Sequence, residues 1–367
     1  MQATRICLNM IVRNEAPVIG RCLDSVRSFI DHWVIVDTGS SDGTQALVQR
    51  HLAGVPGTLF ERPWQDFAHN RNEAMDLARR AVPLSGAHDH LFFIDADETL
   101  QLAPGYTRPA LTADAHDLWC DYAGISYRRS ALVAARLPWR WQGVVHEVLV
   151  CEPAPARHVL AGARIAVAHE GARSRDPLTY AKDAALLEAA LRDNAGDAQN
   201  TARNTFYLAQ SWRDAGELAR SRDIYLQRAA MPGWEEEGWY AQYQAALLAE
   251  RLQLPPAEVA HAYLAAWQRR PTRAEPLVQL ARWHRLRQEH ALALLYARQA
   301  LATPRPDDQL FVEDAVYRWA ALDEVSVAAW YAGARDEGAQ ALKRLLALPG
   351  VPADVLARAR DNLRYYD

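Results

Sequence analysis

The sequence predicts an α/β domain with a mostly parallel sheet, followed by an all-α domain of stacked helices. Three observations carry this. Up to about residue 172, short apolar runs alternate with helical patterns. From Leu178 onward the helical pattern runs almost unbroken and is rich in Ala and Leu. Within that second part, helix pairs ending at Pro232, Pro271 and Pro304 repeat with a period in the mid-thirties.

In chain order, "RICLNMIV" reads as a buried strand, and "PVIGRCLDSVRSFI" as a helix with Ile19, Leu23, Val26 and Ile30 on one face. "WVIVD" is a second strand leading through "SDGTQALVQRHL", and "GTLFER" a third leading into "FAHNRNEAMDLARRA". "HLFFIDAD" closes the series. Continuous apolar strands separated by helices imply a parallel sheet covered on both faces. Less regular strand-like pieces follow at "YAGISYR", "VHEVLVC" and "ARIAVAHE". The "RSRDP" linker separates an expected domain 1–172 from an expected domain 173–367.

In the second part, "FYLAQSWRDAGELARSRDIYLQRAAMP", "YQAALLAERLQLPPAEVAHAYLAAWQRRP" and "LVQLARWHRLRQEHALALLYARQALATP" look like variants of one helix–turn–helix unit. "VAAWYAGARDEGAQALKRLLALP" is a fainter fourth copy. That period, with Ala where helices approach, is the mark of tetratricopeptide-like (TPR-like) stacking. Such stacks offer a concave face to peptides or partner proteins and a surface for a homodimer. "WEEEGW", Trp234 to Trp239, would line a groove or start a solvated helix.

Composition narrows the function. The chain has 367 residues, half hydrophobic and 23% charged, with a net charge of −4. That length favours two cores over one, and that balance gives no electrostatic footprint for nucleic acid. No apolar run approaches the roughly 20 residues of a membrane span. Cys7, Cys22, Cys120 and Cys151 lack metal or CxxC spacing, and the N-terminus lacks a signal-peptide layout, so a reducing, cytoplasmic location is expected.

Ligands of parallel α/β sheets bind beyond the carboxyl ends of the strands. Three polar clusters fall there: Arg13-Asn14-Glu15, the turn "VIVDTGSSDGT" after Asp37, and Asp95-Ala96-Asp97-Glu98. Ser and Asp in the second cluster also suit helix caps and turns. Two carboxylates on alternate positions beside a turn suit a hard divalent cation that shares its ligands with phosphate. A solvated strand end is the simpler alternative.

"NMIVRNEAPVIGRCLDSV", "VIVDTGSSDGT", "NRNEAMDLA" and "FFIDADE" resemble, in order and spacing, the successive motifs of glycosyltransferase family two. Those enzymes are inverting, depend on nucleotide-sugars and have the GT-A fold. The resemblance is strong over the first hundred residues and looser over the next seventy. The helical half is similar to a subgroup with a C-terminal TPR-like domain.

The resemblance implies an enzyme that moves a sugar from a nucleotide-sugar, with a UDP-sugar the expected donor, to a protein, peptide or glycan. Mn²⁺ or Mg²⁺ is the expected cofactor. Asp37 would hydrogen-bond the nucleotide base, with Asn14 and Glu15 lining the same slot. Asp42 and Thr44 would line it too or serve as caps. Arg71 would approach the base or diphosphate, Asp95 would contact ribose and metal, and Asp97 would ligate the metal. Glu98 would support them or stand exposed. An inverting transfer needs a carboxylate base; Glu147 in "WRWQGVVHEVL" is the first choice, with Glu170 and Asp121 as alternatives. His146 would contact the diphosphate or act as base, and His169 would complete the metal's ligands. Trp139 and Trp141 suit stacking on a sugar or anchoring of a loop. Two other readings compete: a non-catalytic TPR-type scaffold with a decayed transferase domain, and a glycosyltransferase acting on modified DNA.

Overall fold

The structure is a computed structural model that describes residues 4–82, 84, 86, 89–168, 170–193 and 198–366. Its chain divides into two compact units, one of residues up to 123 together with 127–215, the other of 124–126 with 216 onward.

The first unit follows the expected alternation. Strand β1 (Ile6–Val12) leads to α1 (Ile19–Val26), β2 (His32–Asp37) to α2 (Thr44–His51), and β3 (Gly57–Glu61) to α3 (Phe67–Ala81). Strands β4 (His90–Phe92), β5 (Thr99–Leu102), β6 (Ala115–Tyr122), β7 (Ile125–Ala134), β8 (Arg140–Gln142), β9 (Val148–Val150) and β10 (Arg157–Ala166) follow. Helices α4 (Thr179–Asp193) and α5 (Ala198–Asp214) complete this unit.

The strand order is β3-β2-β1-β4-β7-β6-β10-β5, and β8 and β9 form a separate hairpin. Strands β3, β2, β1 and β4 are parallel neighbours, whereas β4 meets β7 antiparallel. The sheet is therefore mixed, parallel over the half from β3 to β4 and again between β6 and β10. Strand β1 explains why its sequence is apolar throughout. Ile6, Leu8, Met10 and Val12 enter the core that α1 and α2 cover, and Cys7 enters the core under α3. A strand buried on both faces has no position for a solvated side chain. Asn9 is tolerated there because its amide donates to the Ala74 carbonyl at 2.9 Å, tying β1 to α3.

Helix α3 begins where Asp66 caps it, its carboxylate accepting from the His69 amide at 2.7 Å. Strand β4 is shorter than "HLFFIDAD" suggests. It ends at Phe92 because the chain turns: the Glu98 amide donates to the Asp95 carbonyl at 3.1 Å, and the Asp95 amide to the Glu98 carboxylate at 2.9 Å. Pairing in register sets Val12 beside Asp37, and Leu8 beside Phe92. The turns after β1, β2 and β4 thus share one end of the sheet.

The second unit is helical: α6 (Leu218–Ala230), α7 (Glu235–Arg251), α8 (Pro256–Arg269), α9 (Glu275–Leu286) and α10 (His290–Ala302). A two-residue strand β11 (Val312–Glu313) pairs antiparallel with Ile125–Ser126, and α11 (Ala321–Tyr331), α12 (Arg335–Ala347) and α13 (Ala353–Leu363) end the chain. The pairs α7–α8, α9–α10 and α11–α12 turn by the same device. Gln253, Gln288 and Gly333 are left-handed (φ +55°, +64° and +79°). In each case the next amide bonds the carbonyl five residues back: Leu254 to Ala249, Glu289 to His284, Ala334 to Ala329. This is the bond pattern of a Schellman-type helix end, recurring once per repeat. Ala281, Ala293, Ala297, Ala328, Ala329 and Ala341 pack in one buried cluster, where small side chains let the helices approach.

The acids of "WEEEGW" are bonded inside this unit, at the start of α7. Glu237 is buried against Arg228 at 2.8 Å, Glu235 meets Arg269 at 2.8 Å, and Glu236 accepts from the Gln309 and Leu310 amides. Deeper in, Arg273 and Glu275 pair with neither exposed to solvent, and the Tyr243 hydroxyl donates to Glu313 at 3.0 Å.

Burial, reinforced by the Glu275 charge, pushes the Glu313 carboxyl up to about 7. Its folded-state value lies above its unfolded one, so the folded unit holds a proton that the unfolded chain releases at lower pH. The stability this contributes is complete below about pH 4.5 and is lost as pH rises through about 7. Thermal melting from pH 5 to 8 should show that fall, and Glu313→Gln should flatten it; an unchanged slope in the variant would place the titration elsewhere.

Candidate active site

At the shared sheet end, Asp37 terminates β2 and is 1% exposed. Its Oδ1 accepts from the Gly39 and Ser40 amides at 2.9 and 2.7 Å. Its Oδ2 is buried with no hydrogen-bond partner among the described residues. A buried carboxylate oxygen without a donor is costly, and this one suits the N–H of a planar ligand. Asn14 and Glu15 frame the same turn. The Asn14 side chain accepts from the Ser41 amide at 2.8 Å, and the Asn14 amide donates to Ser40 Oγ at 2.8 Å. Asp42 and Thr44 act as turn residues: Asp42 accepts from the Ala16 amide and from the Thr44 amide and hydroxyl.

Arg71 projects from α3 between two carboxylates. Its Nη2 donates to Asp95 at 2.7 Å and its Nε to Glu147 at 2.9 Å. The guanidinium lies 5.0 Å from the Trp141 ring centre, and the Arg71 and Glu147 side chains are only 15% and 10% exposed. Burial works against the charged guanidinium, but Asp95 and Glu147 more than compensate and hold its pKa above the ordinary value. Burial alone would raise the Asp95 carboxyl, yet Arg71, helped by Arg129 3.8 Å away, holds it below the usual carboxylate range.

Asp97 is placed differently. Its Oδ2 accepts from the Gly171 and Glu170 amides at 3.1 and 3.2 Å. Burial lifts its carboxyl above the ordinary value against the pull of the Gly171 amide, and the Asp95 charge adds to the rise. The Ala172 amide donates to Glu15 at 3.1 Å. A Cβ on Gly171 would come within 3.3 Å of Asp97 and 3.4 Å of Glu15, so a bulkier residue would crowd both carboxylates.

Glu98 is not exposed. It is 2% accessible and takes both Arg129 nitrogens, at 3.0 and 2.6 Å. Trp139 and Trp141 are buried at 1% and 9%, and Trp141 is anchored by reciprocal bonds between its backbone and the Asn72 side chain. Of the two roles expected for these rings, they serve the loop. Asp121 is bidentate with Arg164, and Glu170 pairs with Arg21 at 2.6 Å. His146, left-handed at φ +52°, stacks on Tyr207. His169 lies outside the described residues. Among the described residues, no group of three or more His, Cys, Asp or Glu side chains is gathered closely enough to hold a metal ion. Asp95 and Asp97 offer hard oxygen donors on one turn, the chemistry a divalent cation needs.

Four residues of this region escaped the sequence reading: Arg129, Asp183, Arg203 and Tyr207. Asp183 is buried on α4 and paired with Arg173; burial raises its carboxyl against the pull of Arg173, and the Glu147 charge adds to the rise. Arg129 had one signal, a charged pair inside the strand-like "YAGISYRRS". The others sit in regular helical patterns that mark nothing.

Glu98→Ala would leave Arg129 without its main partner and the Asp95 amide without an acceptor. Breaking a buried pair costs about 3–5 kcal/mol, and partial exposure of Arg129 sets the expectation at about 3 kcal/mol by the same principle. Urea unfolding checks it, and a loss near zero would mean that the turn holds without this pair.

Residues 7–111 match the family described as Glycosyl transferase family 2. The chain is 34% identical over 119 residues to the lipopolysaccharide core biosynthesis glycosyltransferase LpsC of Rhizobium meliloti, covering 32% of this chain and 39% of that one. It is 37% identical over 99 residues to a TPR repeat-containing protein of Synechococcus elongatus, covering 27% and 22%. The chain thus spans less than half the length of these relatives. Among solved structures it resembles TTC0263, a TPR protein of Thermus thermophilus, at TM-score 0.34 and 18% identity, covering 51% of this chain and 91% of that one. No helix among the described residues is long and apolar enough to cross a membrane. The N-terminal part of the chain is a glycosyltransferase family 2 domain, and TPR-like helical hairpins follow it.

Proposed function

We propose that the chain is an inverting glycosyltransferase that moves a sugar from a nucleotide-sugar, first a UDP-sugar, to a glycan, peptide or protein. One observation carries the reading: Arg71 joins Asp95 to Glu147 at the end of the sheet where Asp37 keeps a buried oxygen unpartnered among the described residues. That oxygen would accept from a base N–H, and uracil has one beside its carbonyls. The relative that acts in lipopolysaccharide core synthesis makes a glycan the first acceptor class to test.

Asp97 and Asp95 would hold a divalent cation, with His169 as a further ligand. Bound there, the cation would supply charge neutralisation for the departing diphosphate. Glu147 is the proposed base, taking the acceptor hydroxyl proton as that oxygen attacks the anomeric carbon. Arg71 meets its carboxylate at 2.9 Å, and a diphosphate arriving beside Asp95 would compete for the same guanidinium.

A donor screen for nucleotide release with Mn²⁺ or Mg²⁺ tests the reading. Asp97→Ala should abolish metal-dependent release, and full activity in that variant would remove the cation assignment. Glu147→Gln should bind donor normally but transfer at least ~100-fold more slowly; a normal rate would move the base elsewhere. A chain that neither binds nor turns over any nucleotide-sugar would favour the scaffold reading.

A further inference from the structure

We infer that Arg203 and Tyr207 of α5 are positioning residues for Glu147, acting through His146. This rests on the reading of Glu147 as the base. The Arg203 guanidinium donates to the His146 carbonyl at 2.6 Å. The Tyr207 ring stacks on the His146 imidazole, centroids 4.2 Å apart and planes 15° from parallel. Arg203 itself lies 4.8 Å from the centre of the Tyr207 ring. Residues four apart on a helix share a face, so a single turn of α5 grips both the backbone and the ring of one loop residue.

The gripped residue occupies a costly conformation. His146 is left-handed at φ +52°, which a residue with a Cβ adopts rarely. Such conformations persist where the surroundings over-determine them. Gly143, at φ +113°, makes the loop tight: a Cβ there would lie 3.5 Å from the Glu147 Cα. Glu147 follows His146 directly, and its carboxylate must meet Arg71 Nε at 2.9 Å. The backbone of residue 146 therefore sets where the carboxylate points. The tight turn begins at Gly143, the α5 grip fixes His146, and Arg71 receives the side chain. Helix α5 lies beyond the matched residues 7–111, so the helical extension lends the transferase domain a fixed base.

The test uses the full chain with Tyr207→Leu and Arg203→Met, and with Tyr207→Phe, which keeps the stacking ring. Misplacing a reacting group by about an ångström costs up to ~100-fold, so kcat for transfer should fall roughly 10- to 100-fold in the first two. The donor KM should stay within about two-fold, because Arg203 and Tyr207 act on the loop that carries Glu147 rather than on Asp37 or Asp95. Tyr207→Phe should recover most of the rate. Unchanged kcat, equal losses in donor binding, or failure of Tyr207→Phe to recover would each overturn the inference. Amide hydrogen exchange across 144–148 reports the grip without any turnover and should quicken in Tyr207→Leu. If the unaltered chain transfers nothing, the functional reading fails, and the exchange result alone then decides: faster exchange supports the grip and unchanged exchange overturns it.

Discussion

Arg71 is the constraint on which the sheet's carboxyl end depends. Asp95 and Asp97 stand on one turn, where the Asp95 charge helps to raise the Asp97 carboxyl, and Glu147 meets the same guanidinium as Asp95. One guanidinium bridging Asp95 and Glu147 gives each an ion pair. Its aim is set by α3. Asp66 caps that helix, and the buried Asn70 side chain donates to the Pro63 carbonyl and accepts from the Gln65 amide. Asn72, one position past Arg71, locks the Trp141 backbone so that the indole covers the guanidinium. Misplacing α3 would therefore undo this charge balance as well as the core to which Met75 and Ala78 contribute.

The carboxylates at this end of the sheet differ in how far hydrogen bonds satisfy them. Asp42 spends its oxygens on amides and a hydroxyl of its own turn, and Glu98 is saturated by Arg129 and the Asp95 amide. Both are engaged in holding their own turns. Among the described residues, Asp37 keeps one oxygen without a donor, and the side-chain hydrogen bonds to Asp97 fall on one oxygen. Asp95 shares its charge with two arginines while its side chain remains 43% exposed. Acids with an open oxygen and acids engaged in the turns thus stand side by side in the same motifs.

The sequence made the alternating half readable because local and global signals agree there. The apolar run of β1 is buried on both faces, and the pattern "FAHNRNEAMDLARRA" matches α3 from end to end. Contacts between distant positions were not readable. Nothing in "DADE" tells that Glu98 meets an arginine 31 positions later, so its burial could not be foreseen. The end of β4 was misplaced for the same reason, since the turn that stops it is held by that glutamate. In the loop of residues 139–147, Trp139 and Trp141 read equally well as sugar platform or anchor. Only their burial and the Asn72 bonds decide for anchor.

The change in periodicity near residue 172 marks where the pattern of the chain changes, which is a different thing from where the site ends. Asp183, Arg203 and Tyr207 all lie past that point, yet they group with the first unit and converge on the loop that carries Glu147. A fragment ending at residue 172 would retain every recognisable motif. It would also expose the His146 ring, free its carbonyl and remove the means of holding a left-handed residue beside the proposed base. The motifs alone thus describe the turns at the end of the sheet, while the loop that carries Glu147 is held by a helix whose sequence gives no sign of it.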